Sequence, residues 1–138
     1  MVPCALRVIY GDTDQMGVVY YANYLRWFEA GRAEFLRVKG VSYAAFERDL
    51  GLLLPVSEAT VSYRSPARYD DLVTVETSLA EVKRVSARFA YRVVCGSDLL
   101  ATGSTVHACV DRDGRIRRLP PEFLAGLCAG EDLSPTGN

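Results

Sequence analysis

Histidine is almost missing from this chain of 138 residues; there is one, His107. The four cysteines, Cys4, Cys95, Cys109 and Cys128, never fall in CxxC spacing. Together these shortages argue against a structural zinc site, and the cysteines read as buried free thiols. Neither sign of charge dominates. The formal net charge is −1, so nothing electrostatic favours nucleic acid as a partner. No apolar run approaches the roughly 18 residues of a membrane-spanning helix, so membrane insertion is not expected. The opening MVPCALRVIY lacks the apolar stretch and cleavage site of a signal peptide, and the expectation is a cytoplasmic protein. There is no glycine-rich phosphate loop of the Walker or dinucleotide type, no internal repeat and no low-complexity segment. The length suits one domain, expected over residues 1–129, with a disordered tail over 130–138.

What the chain does have is concentrated in residues 11–38, GDTDQMGVVYYANYLRWFEAGRAEFLRV. A polar loop carrying Asp12, Asp14 and Gly17 runs into the only long helical pattern, expected over Asn23–Val38. Tyr24, Leu25, Phe28, Gly31, Phe35 and Leu36 share one face, and Trp27 widens it. Asn23 reads as the N-cap and Gly40 as the stop. Gly31 costs about 1 kcal/mol relative to alanine in mid-helix. That cost implies a sheet backbone lying close against it.

After a short second helix over residues 43–50, the pattern changes to period two. Residues 5–10 form an expected first strand, ahead of the polar loop. Ala59, Val61 and Tyr63 alternate with polar residues, as a half-buried strand would. Val73–Leu79, Phe89–Cys95 and Leu99–Val110 follow, with Gly96-Ser97-Asp98 as a tight hairpin. A short strand near Ile116 and a helix opened by Pro120-Pro121 complete the order. One helix ahead of consecutive strands implies an α+β fold with a curved antiparallel sheet around the helix. The sheet's far face needs cover, and a second copy would supply it.

Several residues could carry chemistry. DTDQMG opens like a calcium loop, but position five is Met16, which has no oxygen, and position twelve is Asn23, where a bidentate Glu is required. On one reading Asp12 and Asp14 simply close an Asx turn ahead of the helix. Asp14 also lies just before a helix start, where unpaired N–H groups and a positive dipole end can hold an oxyanion beside a carboxylate. His107 reads either as a base or as a packed strand histidine. Glu29 either orients a water or pairs with Arg26 or Arg32. Arg64, Arg68, Lys83, Arg84, Arg88 and Arg92 form either a solvated face or a clamp for phosphates.

GDTDQMGVVYYANYLRWFEAGR resembles the signature of hotdog-fold acyl-CoA thioesterases of the 4-hydroxybenzoyl-CoA thioesterase type. That group includes the small thioesterase associated with the bacterial Tol–Pal system. The pattern D-x-D-x-x-G-x-V-x-[YH]-x-x-Y falls on Asp12, Asp14, Gly17, Val19, Tyr21 and Tyr24, and YRSPARYDD at 63–71 is a second matching stretch. Tol–Pal-associated members usually carry histidine where this chain has Tyr21, and the hydroxybenzoyl branch is closer there. The resemblance implies hydrolysis of an acyl-CoA thioester to a carboxylic acid and free coenzyme A, with no metal or redox cofactor. It implies dimers pairing sheets edge to edge, often as homotetramers, with sites at the subunit interface. Asp14 would be nucleophile or general base, Gly17 part of its loop, and the Tyr21 backbone N–H the group polarising the carbonyl. Tyr24, Lys83, Arg84 and Arg88 would bind substrate. A non-catalytic acyl-CoA or acyl-carrier-protein binding module on the same fold is the alternative, and Asp14 separates the two.

Overall fold

The computed structural model describes residues 1–131 and 133. Five strands form the main sheet in the order β1-β4-β5-β6-β3, antiparallel throughout. They are β1 (Val2–Arg7), β3 (Val56–Tyr63), β4 (Leu72–Val82), β5 (Ser86–Cys95) and β6 (Asp98–Ala108). Helix α1 (Asn23–Val38) crosses one face, and α2 (Tyr43–Leu50) leads into β2 (Leu52–Leu53). β2 pairs with β7 (Val110–Asp111), and α3 (Pro121–Cys128) follows. This is the α+β architecture that the pattern implies, and the hotdog fold that the resemblance implies.

Alternation decides which side of the sheet meets the helix. Val73, Val75, Thr77 and Leu79 of β4 and Phe89, Tyr91 and Val93 of β5 are buried. Against them α1 buries Tyr24, Trp27, Phe28, Gly31, Phe35 and Leu36. Phe28 stacks on Tyr91 with centroids 4.2 Å apart, and Phe35 meets Phe89 edge-on. Leu25, expected on this face, is instead exposed. Gly31 allows close approach, as expected, but the neighbours are side chains. A Cβ there would lie 2.5 Å from Thr77 Oγ1 and 2.8 Å from Val75 Cγ1.

The ends of α1 follow local chemistry. Gly40 has φ +73°, Val41 N–H donates to Leu36 O, and Gly40 N–H donates to Arg37 O, a Schellman stop. At the other end Asn23 is not the cap. Ala22 precedes the helix in αR geometry, and the Asn23 amide donates to the Asp12 carbonyl, tying the polar loop to the helix.

Three strand expectations are corrected. The first strand ends at Arg7, because Ile9 N–H turns to the Asp12 carboxylate and Tyr10–Asp12 tighten into a 3-10 turn. β3 is an edge strand, exposed along its length except for a half-buried Val61, because α1 lies mainly over β1 and β4 at the other side of the sheet. Ile116 makes only an isolated bridge to Val110. Of the expected tail, 132 and 134–138 lie outside the described residues. Glu131 pairs with Lys39 at 3.1 Å, and Leu133 packs against the core. No helix among the described residues is long and apolar enough to cross a membrane.

Candidate active site

The polar loop is built by its acids, each with its own task. Asp12 is buried, and its carboxylate accepts from Ile9 N–H at 3.0 Å and lies 3.6 Å from Arg26. Its carbonyl accepts from Tyr20 N–H and from the Asn23 side chain, both at 2.9 Å. Asp12 therefore holds the loop's shape. Asp14 is half-buried and uses one carboxylate oxygen, Oδ1, to accept from Met16 N–H at 2.9 Å, an Asx turn. Gly17, at φ +79°, closes that turn by donating to the Asp14 carbonyl. The second Asp14 oxygen has no partner among the described residues.

The chain enters α1 through a short turn, and this moves the first unpaired donor backwards. Asn23 N–H donates to Tyr20 O, and Tyr24 N–H points to Tyr21 O at 3.4 Å. Tyr21 N–H has no partner among the described residues. Tyr63 Oη donates to Tyr21 O at 2.8 Å, which fixes the peptide plane at the helix start. Tyr21, Tyr63, Tyr24 and Trp27 form a ladder of edge-on and tilted rings beside the loop. Burial pushes the Tyr24 and Tyr63 hydroxyls upward, so both stay protonated and able to donate.

Asp14, Tyr21 and Tyr24 line one cavity of about 270 Å³ with Tyr63, Arg64 and Ser65. The sequence grouped Arg64 with distant basic residues. Here it lines the same cavity as Asp14, because β3 ends at Tyr63 against the loop that precedes α1. Ala67, buried in the second matching stretch, accepts from Val19 N–H through its carbonyl and so ties that stretch to the polar loop.

Lys83, Arg84 and Arg88 are not brought to this cavity in one chain. Lys83 and Arg84 form the β4–β5 turn, and Ser86 pairs with Ala108, at the Val56 end of β3. Asp14 lies at the Tyr63 end, roughly 23 Å away at about 3.3 Å per strand residue. Lys83 lies 3.8 Å from Glu81, and Arg88 lies 3.9 Å from Glu58 and donates to Ser104. Glu29 pairs with neither Arg26 nor Arg32 and lines a second, larger cavity of about 760 Å³. His107 is buried in that cavity's wall, a packed strand histidine. Its Nδ1 meets Leu54 O at 2.9 Å and its Nε2 meets Thr105 Oγ1 at 2.8 Å, so it has no free nitrogen to act as a base.

A profile of the thioesterase-like superfamily matches residues 8–127. The chain belongs to that superfamily. Acyl-CoA thioester hydrolase YbgC of Escherichia coli O157:H7 is 36% identical over 122 residues, covering 87% of this chain and 90% of YbgC. A hypothetical protein from Thermus thermophilus superposes with a TM-score of 0.87 at 36% identity, over 94% of this chain and 98% of that one. A 4-hydroxybenzoyl-CoA thioesterase variant holding its substrate shares the fold, with a TM-score of 0.83 at 24% identity over 91% and 97% of the two chains.

Proposed function

We propose that this superfamily member is an acyl-CoA thioesterase that releases a carboxylic acid and free coenzyme A, with residues 1–129 as one catalytic domain. The observation that carries the reading is the shared cavity of the Asp14 carboxylate and the unpaired Tyr21 N–H. The thioester carbonyl oxygen accepts from Tyr21 N–H, and the positive end of α1 steadies the charge that develops there. The partnerless Asp14 oxygen faces the reaction in one of two ways. It bonds to the carbonyl carbon, the C–S bond breaks, and water then cleaves the resulting anhydride. Alternatively it takes a proton from water, whose oxygen bonds to the carbon, and that proton leaves with the coenzyme A sulfur. Gly17 keeps the turn that aims the carboxylate, and Tyr24 forms an aromatic wall.

The working form is a dimer, or a tetramer built from two such dimers. β3 leaves one unpaired edge, and pairing it antiparallel with a second copy's β3 sets the Tyr63 end of one strand against the Val56 end of the other. Lys83 and Arg84 of one copy then approach the Asp14 of the other, where they meet coenzyme A phosphates. Four free thiols suit the reducing cytoplasm. The experiment is a panel of acyl-CoA thioesters with a thiol-release readout. Turnover of at least one member is the expected result; none on any member, with coenzyme A still bound, would favour a binding module.

A further inference from the structure

The Asp14 cavity has two charged residues in its wall, Asp14 and Arg64. The Arg64 guanidinium has no hydrogen-bond or ion-pair partner among the described residues. Its backbone, by contrast, is fixed. Arg64 N–H and Ser65 N–H both donate to Leu100 O, at 2.8 and 3.1 Å, and Leu100 is buried in β6. Pro66 follows, and the Ala67 carbonyl accepts from Val19 N–H at 2.8 Å. The segment 64–67 is thus tied at one end to the sheet and at the other to the polar loop. Just before it, Tyr63 Oη donates to Tyr21 O. The cavity, at 270 Å³, is small beside the roughly 300–1,000 Å³ usual for a ligand pocket. The groups that line it therefore lie within a long side chain's reach of one another.

Thioester cleavage moves one negative charge through three places. It starts on the Asp14 carboxylate, passes to the carbonyl oxygen and ends on the sulfur. Tyr21 N–H and the positive end of α1 are committed to the carbonyl oxygen, so the sulfur needs a partner of its own. The need is sharpest if Asp14 is the nucleophile. Its oxygen is then bonded to the carbonyl carbon, and it has no proton to give. An alkyl thiol has a pKa of about 8.5 or above, so its anion is a reluctant leaving group at neutral pH. If Asp14 instead takes a proton from water, charge still builds on the sulfur until that proton arrives. A guanidinium stays charged at any working pH. It cannot protonate the sulfur, but its N–H groups can neutralise the charge as it forms.

We propose that Arg64 is a catalytic residue that holds the departing coenzyme A sulfur while the C–S bond breaks. The proposal rests on the thioesterase reading. The new bond to the carbonyl carbon comes from Asp14 or from water, and the C–S electron pair goes to sulfur. The thiolate pairs with Arg64 and takes its proton from solvent on the first route, or the one Asp14 removed from water on the second. Arg64 ends the cycle unchanged.

The test places one acyl group that wild type turns over on three thiols: coenzyme A, pantetheine and 4-nitrothiophenol. Pantetheine has the alkyl sulfur of coenzyme A and none of its phosphates. Nitrothiophenol is an acidic thiol whose anion leaves without help. Arg64→Met should lower kcat/KM about tenfold or more for both alkyl thioesters, and less than about threefold for the aryl one. Arg64→Lys, which keeps the charge, should recover part of the loss. Arg64 is exposed, and the bonds that fix its backbone do not use its side chain, so melting temperature should stay near wild type. Equal losses on all three thioesters would mean a merely structural role and overturn the proposal. A loss on coenzyme A alone would assign the guanidinium to phosphates and overturn it too, as would no loss on any. Each of these leaves the hydrolase standing. Failure of wild type to hydrolyse any acyl-CoA thioester overturns the hydrolase, and this role with it.

Discussion

Asp12 and Asp14 are two residues apart, yet the structure separates their tasks. Asp14→Asn keeps the Asx turn, because the amide oxygen still accepts from Met16 N–H. It removes the proposed nucleophile or base, so kcat should fall by about 10²–10⁴ with melting temperature and coenzyme A affinity near wild type. A variant retaining more than about a tenth of kcat would exclude the assignment. Asp12→Asn should show the opposite profile. It loses the charge beside Ile9 N–H and Arg26, which should cost about 1–2 kcal/mol of stability and reduce kcat modestly. Beneath α1, Thr77 Oγ1 is buried with no hydrogen-bond partner among the described residues. Thr77→Val should therefore leave stability unchanged or raise it, by up to about 1–2 kcal/mol in denaturant titration. Gly31→Ala should destabilise by about 1–3 kcal/mol, since its Cβ collides with Thr77 and Val75. That exceeds the roughly 1 kcal/mol of helix propensity it gains. A stabilised Gly31→Ala would mean that β4 yields.

At the scale of elements, legibility followed sequence distance. α1 and α2 could be bounded from periodicity and a glycine stop, because the bonds that end them are local. Asp14, Gly17, Tyr21 and Tyr24 could be found together because one loop and one helix start carry them. Tyr63, Arg64 and Ser65 join them only because β3 ends there, and nothing near those residues announces it. The Arg32–Tyr91 and His107–Leu54 bonds span 59 and 53 residues and left no periodic trace. The burial of His107 among them has a measurable consequence in β6. Burial is the main cause that lowers His107 from 6.5 to about 4. The folded value lies below the unfolded one, so its neutral form contributes stability that is complete above about pH 6.5. That contribution fades as pH falls toward 4, by on the order of 3 kcal/mol at full titration. Melting temperature should drop over this window, and His107→Gln, itself less stable at pH 7, should drop less. Equal slopes in the two proteins would mean that His107 titrates normally.

Across the whole molecule, one fact remains that a single chain cannot use: β3 alternates like a half-buried strand, yet it is exposed apart from a half-buried Val61, and one of its edges is unpaired among the described residues. A strand of this pattern without lysine or proline invites pairing. Light scattering at micromolar concentration should report a dimer or larger. Thr60 lies near the middle of β3, and a two-fold axis there would bring both copies of residue 60 close. Thr60→Glu places like charges together and should shift the protein toward monomer, weakening more at low salt than at high. If the site is shared, the monomer should also lose turnover, although Thr60 lies several residues from both Tyr63 and Val56. Lys83 and Arg84 give the same argument an independent arm. They lie at the wrong end of their own sheet to reach Asp14, so they can serve coenzyme A only across the pair. Lys83→Ala with Arg84→Ala should raise KM with kcat largely spared, and added salt should mimic it in wild type. The decisive measurement combines the two. In the Thr60→Glu monomer the Lys83 and Arg84 substitutions should no longer change coenzyme A affinity, because the phosphates they hold belong to the other copy's site. An unchanged effect in the monomer would place the phosphates on the same chain and separate the oligomer from the chemistry.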